Sequence, residues 1–161
     1  MNQQELIPAL EESRERFLDI IEGLPDEAWV EAGVSGEWSV KDILAHLSRC
    51  EAELIRLLYQ AERGLVPTTV HTSAISVDEQ NEKWYRESKD RPLERILADF
   101  EGVREQTIRR VQALSDHDLS DPKRHAWLEG EPLAKWIANE SVEHEAEHGA
   151  QIREWRAKRN L

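Results

Sequence analysis

The chain has 161 residues, of which 39% are hydrophobic, and this is enough for one domain with a sizeable core, over residues 1–161. Its 33 acidic side chains outnumber 21 basic ones, and the formal net charge is −12. Because phosphate groups are bound by basic surfaces, this balance argues against nucleic acid and anionic membranes as partners, whereas it is compatible with binding a cation.

The cellular compartment follows from the cysteine count and the N-terminus. Cys50 is the one cysteine, so an intramolecular disulfide is excluded and a reducing compartment is favoured. The first residues lack a basic segment followed by an apolar run, and no stretch approaches the roughly 20 apolar residues of a membrane span. We therefore expect a cytoplasmic protein.

Two long helices are predicted in the first part of the chain. The first covers residues 4–22, and a short helical turn covers residues 24–29. The second begins after the capping-box pattern from Ser39 to Asp42 and runs to about Arg63. On the first helix, apolar residues recur at helical spacing, and the following charged residues are predicted to lie on its other faces: Glu11, Glu12, Arg14, Glu15 and Arg16.

The remainder of the chain predicts further helices and no sheet, because no segment alternates with period two. Residues 65–77 are predicted as a crossover loop, and residues 115–130 as a turn-rich, polar segment. Helices are predicted over residues 78–87, 92–114 and 132–158. Four main helices with a long crossover loop between helices two and three indicate an all-α four-helix bundle.

The last helix carries ionisable side chains within an apolar stripe. Glu140, His144 and His148 follow Ile137 and precede Trp155 at the spacing of one helical face. Such groups are costly to bury unless they are paired, hydrogen-bonded or bound to a metal. Two histidines at i and i+4 can reach one ion, so we interpret this face as half of a metal site.

Residues His144 to His148 also match the H-E-x-x-H pattern of zinc proteases, in which Glu145 would be the general base. We reject this interpretation, because no histidine follows His148 and no strand is predicted to hold a peptide. A third ligand is available upstream in His46, on the edge of the apolar face of the second helix. Facing helices of a bundle lie about 8–10 Å apart, which allows His46 to meet the pair.

Other residues are ranked by their distance from this predicted centre. Glu140 is interpreted as a catalytic proton carrier; the alternatives are a fourth ligand, a hydrogen-bond acceptor for a ligand histidine, or a solvated or salt-bridged side chain without a role in the site. Asn81 and Trp84 are candidates for binding a cofactor or ligand across the bundle, with core packing as the alternative for Trp84. Cys50 is interpreted as a small apolar filler rather than a ligand. The remaining histidines are predicted to face solvent: His71, His117 and His125.

Two motifs resemble those of a known family. Trp38-Ser39 followed by His46-Leu47, together with the H-x-x-x-H-G-A-Q-I run over residues 144–152, resembles the DinB-like (YfiT-like) superfamily of metal-binding four-helix bundles. Residues 90–93 and 132–138 resemble its DfsB/ClbS-like branch. The resemblance implies a divalent ion, commonly zinc or nickel, held by His46, His144 and His148. Members of the family include thiol transferases, an isomerase that uses a small thiol, and a hydrolase that inactivates a genotoxin.

Three hypotheses follow. In the first, the chain is a metal-dependent enzyme, either a hydrolase or a small-thiol transferase, that acts on a small-molecule electrophile. In the second, it is a non-catalytic protein that binds or sequesters a small molecule or a metal. In the third, it is a helical dimer whose histidines are only packed. The oligomeric state is left open, and a homodimer is compatible with the sequence.

Overall fold

Four long helical segments form a bundle in the computed structural model, which describes residues 1–67 and 75–161. The predicted all-α four-helix bundle is confirmed, and no strand occurs within those two ranges. No helix there is long and apolar enough to cross a membrane. In chain order the elements are α1 (Gln3–Ile21), α2 (Val40–Glu62), α3 (Val77–Ser88), α4 (Leu93–Ala113), α5 (Asp116–Ser120), α6 (Leu133–Ala138), a π turn (Asn139–Glu143) and α7 (His144–Arg159).

The apolar core is divided into two clusters that reveal the directions of the helices. The first, the Leu6 cluster, joins the start of α1 to the ends of α2 and α4 and to α6: Leu6, Leu10, Leu54, Leu58, Val111, Leu114, Leu119, Leu133, Ala134, Ile137 and Ala138. The second, the Phe17 cluster, joins the end of α1 to the starts of α2 and α4 and to α7, and includes Phe17, Ile21, Ile43, Leu44, Leu47, Ile96, Phe100, Ile152 and Trp155. Consequently α1 and the last helical segment, which consists of α6, the π turn and α7, run in one direction, and α2 and α4 run in the other.

Helix α3 returns the chain along α2, as a connection between two parallel helices requires. The ammonium of Lys41, at the start of α2, donates to the carbonyl of Lys89, just after α3, at 3.0 Å. Nearby, the rings of Trp38 and Tyr85 stack with centroids 6.4 Å apart. Residues 68–74 of the predicted crossover loop, which include His71, lie outside the described residues.

Local sequence signals account for several helix ends. The predicted capping box is present, because the hydroxyl of Ser39 accepts from the Asp42 N–H at 3.2 Å and the Asp42 carboxylate accepts from the Ser39 N–H at 2.9 Å. The predicted turn near residue 26 is a 3₁₀ turn, Asp26–Val30. The prediction for His125 is wrong: this residue is only 7% exposed, and its Nε2 lies 3.2 Å from the Asp118 carbonyl oxygen, which gives the buried ring a polar partner.

A layer of buried ionic side chains separates the two apolar clusters. Arg104 donates from Nε to Glu51 Oε1 at 2.7 Å and from Nη2 to Glu145 Oε2 at 3.1 Å. Arg14 donates from Nε to the same Glu145 oxygen at 3.0 Å, so its predicted place on an outer face is wrong. Within the described residues no buried side-chain nitrogen or oxygen lacks a partner. This layer, defined by Arg14, Glu51, Arg104 and Glu145, is called the ionic layer below.

Candidate metal centre

The last helical segment differs from the predicted stripe at its centre. Ser141 and Glu145 are buried, whereas Glu140 is exposed, so the predicted position of Glu140 in the buried stripe is wrong. Steps of four residues drift by roughly 40° each in a regular α-helix. The π turn Asn139–Glu143 has a wider backbone repeat and absorbs this drift. Ile137, Ser141 and Glu145 therefore all face the core, and Glu140 is moved outward.

Three imidazoles converge where α2 faces α7. The Nε2 atom of His144 lies 3.2 Å from Nε2 of His46 and 3.2 Å from Nε2 of His148. The ring centroids are 5.0 Å apart for His46 and His144, 5.1 Å for His46 and His148, and 4.9 Å for His144 and His148. The structure therefore brings together the three predicted metal ligands, although 98 residues separate His46 from His144.

Neighbouring side chains orient two of these rings. The Nδ1 atom of His148 lies 2.9 Å from the amide oxygen of Gln151. Since an amide oxygen only accepts, Nδ1 carries the hydrogen and the lone pair on Nε2 of His148 points towards His144. The ring of Trp38 lies against His46, with centroids 4.9 Å apart. The motif that begins with Trp38 thus reaches the site through a ring contact.

The surroundings favour neutral imidazoles. Burial, with added effects of the charges on His144 and His148, lowers the pKa of His46 to about 3. Burial also lowers the pKa of His144, with an added effect of His148. It lowers the pKa of His148 as well, although the hydrogen bond that His148 donates to Gln151 acts in the opposite direction. A neutral imidazole presents the lone pair that a metal requires.

The donor set fits a divalent transition metal. With Zn–N bonds of about 2.0–2.1 Å in tetrahedral geometry, two ligand nitrogens lie about 3.3 Å apart. The two Nε2 distances of 3.2 Å agree with that value. Imidazole donors suit zinc, nickel, copper and iron, so the donor type is compatible with the predicted zinc or nickel without selecting between them.

Cys50 offers a second, overlapping donor set. Its Sγ lies 3.8 Å from both ring nitrogens of His46, and the ligand atoms of His46, Cys50 and His144 lie within 4.8 Å of one another, so this group could hold a metal ion. Burial raises the pKa of the Cys50 thiol to about 12, with added effects of Glu140 and Glu53. Without a metal the sulfur is therefore a protonated thiol.

A cleft of about 450 Å³ opens beside the histidines. Its walls come from α2, α3 and the last helical segment, and they include the predicted residues Glu140, Asn81 and Trp84. Trp84 is half-buried, so it lines the cleft and is not a core residue. The lining residues are His46, Cys50, Glu53, Leu54, Leu57, Val77, Gln80, Asn81, Trp84, Trp136, Asn139, Glu140, Glu143, His144 and Glu147.

Sequence reasoning missed two contributors to the site. Gln151 has no role in the sequence analysis, although a glutamine three residues after His148 is one helical turn away and can reach its ring. Trp136 was not assigned to the cleft. Its signal in the sequence is its position one helical turn before Glu140, which also lines the cleft.

The family model of the DinB superfamily matches residues 9–152. The chain belongs to the DinB superfamily. This confirms the resemblance drawn from the Trp38–His46 and His144–Ile152 motifs. A search of curated proteins finds no match.

Several solved structures have the same fold and align with nearly the whole of this chain. An uncharacterised protein from Escherichia coli UTI89 has a TM-score of 0.82 at 17% identity, over 99% of this chain and 95% of its own. DfsB, a sibling lethal factor precursor, also has 0.82 at 17%, over 99% and 97%. The colibactin self-resistance protein ClbS, in complex with a dsDNA, has 0.78 at 15%, over 94% and 93%. The predicted likeness to ClbS and DfsB is thus confirmed at the level of the fold.

Proposed function

We propose that this DinB-superfamily protein is a metal-dependent enzyme, a hydrolase or a small-thiol transferase, that acts on a small-molecule electrophile. His46, His144 and His148 hold a divalent ion, with zinc or nickel as the preferred metals. The observation that carries the proposal is the convergence of these three imidazoles at the wall of a cleft of about 450 Å³. Three protein ligands leave a coordination position for a substrate or a nucleophile.

His148 is preferred to Cys50 as the third ligand on geometric grounds. Its Nε2 lies 3.2 Å from that of His144, and its other ring nitrogen is held by Gln151. Such an outer partner is typical of metal-bound histidines, because it fixes the ring and the tautomer. The sulfur of Cys50 lies 3.8 Å from either nitrogen of His46, beside the centre, where it is available as an additional donor.

A bound divalent cation supplies a Lewis acid that lowers the pKa of a coordinated nucleophile towards neutrality. Glu140, on the π turn at the cleft wall, would accept a proton from a nucleophile bound in the cleft and return it to the leaving group. Asn81 donates to a polar group of the substrate, and Trp84 packs against its apolar part. The nucleophile of the transferase alternative is a low-molecular-weight thiol.

The metal is tested on tag-free protein purified without a metal column. Elemental analysis is expected to find about one zinc or nickel ion per chain, and His144→Ala is expected to abolish it. His117→Ala is the matched control, because this histidine is exposed and pairs only weakly with Asp121 at 3.6 Å. Metal content equal in wild type and His144→Ala would overturn the proposed centre.

Catalysis is tested by turnover with the metal-loaded protein. p-Nitrophenyl esters report hydrolysis, and monochlorobimane reports thiol transfer with bacillithiol, mycothiol or glutathione. We expect product that depends on metal and falls about 10²–10⁴-fold in Glu140→Gln, the range of general acid–base catalysis. Glu105→Gln, an exposed carboxylate on α4, is the control. A ligand that binds the metal-loaded protein and is never converted would favour the non-catalytic alternative.

The proposed substrate is a small molecule and not nucleic acid. ClbS is known in complex with a dsDNA, whereas this chain carries a formal net charge of −12. Phosphate backbones are bound through basic side chains, so we expect no DNA binding by this chain at physiological salt. Fluorescence anisotropy with a labelled duplex tests this, and saturable binding in the micromolar range would contradict it.

A further inference from the structure

We propose that the cleft beside the histidines takes an organic cation: an amine or quaternary ammonium group carried on an apolar or aromatic body. The inference rests on the proposed function, because it names the substrate class of the same site. Its evidence is nevertheless separate from the histidines. It comes from the charge and the aromatic surface of the cleft walls.

Four carboxylates line the cleft, on α2 and on the last helical segment: Glu53, Glu140, Glu143 and Glu147. No lysine or arginine is among the described residues that line it. Arg56 pairs with Glu53, its Nε lying 3.1 Å from Oε1. Among the described residues, the four lining carboxylates outnumber this one positive charge. The cleft therefore presents a negative potential to an entering molecule.

Two tryptophans provide an independent reason to expect a cation. Trp84 of α3 and Trp136 of α6 both line the cleft, and both are half-buried, so part of each ring faces the space. The face of an indole ring attracts organic cations through its quadrupole and also packs against apolar groups. Leu54 and Leu57 extend the apolar wall. A ligand with an apolar body and a cationic group matches both parts of the lining.

Other concave surfaces of the same molecule show that this charge is local. A groove between the ends of α1 and α7 is lined by Arg16, Arg153 and Arg156 together with acidic residues. A groove between α2 and α4 includes Arg49 and Arg91. The absence of basic side chains from the described lining of the cleft is therefore not explained by the net negative charge of the chain alone. The cleft beside the histidines selects against anionic ligands, glutathione among them, and so favours the hydrolase over transfer to an anionic thiol.

Three probes of similar shape and different charge test the inference: benzyltrimethylammonium, benzyl alcohol and phenylmethanesulfonate. Ligand-observed NMR titration against metal-free protein at pH 7.5 is expected to rank them as cation, neutral, anion. The Glu143→Gln/Glu147→Gln double variant is expected to weaken the cation about three- to tenfold, from the energies of exposed ion pairs. The control is Glu15→Gln/Glu105→Gln, which changes the net charge equally at exposed positions outside the cleft lining.

Three results would overturn the cationic preference. The first is that the neutral or anionic probe binds as tightly as the cation, and the second is that none of the three binds at millimolar concentration. The third is equal weakening by the control variant, which would assign the effect to bulk charge. The titration uses metal-free protein, so its result does not depend on the metal site. If the metal site is absent, the proposed function is refuted, but the order of affinity of the three probes still tests the cationic preference.

Discussion

Arg104 and Glu145 form a buried ion pair at the centre of the bundle, with Nη2 3.1 Å from Oε2, and Glu145 directly precedes the turn that carries His148. Glu145 also follows His144, so the two side chains leave α7 about 100° apart. Arg14 and Arg104 hold Glu145 towards the bundle axis. His144 is thereby directed towards α2, where His46 lies. The ionic layer therefore contributes to the orientation of the histidines as well as to stability.

Truncation of Arg104 is expected to be strongly destabilising. Arg104→Ala leaves Glu51 and Glu145 buried with one fewer partner each, and removing one member of a buried ion pair costs about 3–5 kcal/mol. Urea unfolding measures the free energy of unfolding. The control is Arg110→Ala, whose half-exposed pair with Glu62 is 3.5 Å long and is expected to contribute about 1 kcal/mol or less. Similar losses in both variants would refute a central role for the ionic layer.

The third metal ligand is tested by comparing His148→Ala with Cys50→Ser. If His148 is the ligand, its loss is expected to weaken zinc binding more than about 100-fold. That is more than the largest effects seen when a residue that only hydrogen-bonds to a metal ligand is removed. Cys50→Ser is expected to change the affinity less than about tenfold, because its sulfur lies 3.8 Å from His46 and beside the centre. Competition with a chromogenic chelator gives both affinities. The reverse order would assign the third position to Cys50.

Gln151 is expected to act on the metal through His148. Gln151→Leu removes the oxygen that lies 2.9 Å from Nδ1, so the ring and its tautomer are no longer fixed. We expect zinc affinity to fall about 10–100-fold with little change in the melting temperature. Gln151→Glu restores an acceptor and is expected to recover affinity. Unchanged zinc affinity in Gln151→Leu would show that the hydrogen bond has no part in binding.

The metal-free protein is expected to lose stability as the pH falls. The pKa of His46 is about 3 in the folded chain and near 6.5 when unfolded, so between these values the unfolded state binds more protons. The contribution of neutral His46 is complete above pH 6.5 and declines as the pH falls towards about 3. Thermal melts in EDTA from pH 7.5 to 4.5 measure this, and His46→Gln is expected to show a shallower decline. Parallel curves would contradict the lowered pKa.

The sequence sufficed for the helices that have a clear apolar face and for the two halves of the histidine site. The capping box at Ser39 and the i, i+4 spacing of His144 and His148 depend only on residues that are close in sequence, so they can be recognised without knowing how the helices pack. His46 required the assumption that its helix faces the last one. That the chain is a single domain over residues 1–161 stays a prediction.

The ionic layer and the π turn could not be predicted from local spacing. Arg14 lies between Leu10 and Phe17 at helical intervals, on the apolar face of its helix. Whether such a charged side chain is buried can be predicted only when its partners on other helices are known. The exposure of Glu140 depends on the extra residue of the π turn, which shifts the register of the last helical segment. Regular helical periodicity cannot represent such a shift.

The cleft beside the histidines is formed partly by helices of the four-helix core and partly by α3, which lies outside that core. The imidazoles stand on α2 and α7, which are fixed by the ionic layer, whereas α3 contributes Val77, Gln80, Asn81 and Trp84 from outside the four-helix core. Exchanging α3 between relatives of this fold would therefore alter which molecules enter while leaving the donors in place. The three imidazoles and this outer wall of the cleft therefore lie on different helices, so the wall can change in sequence without moving the imidazoles.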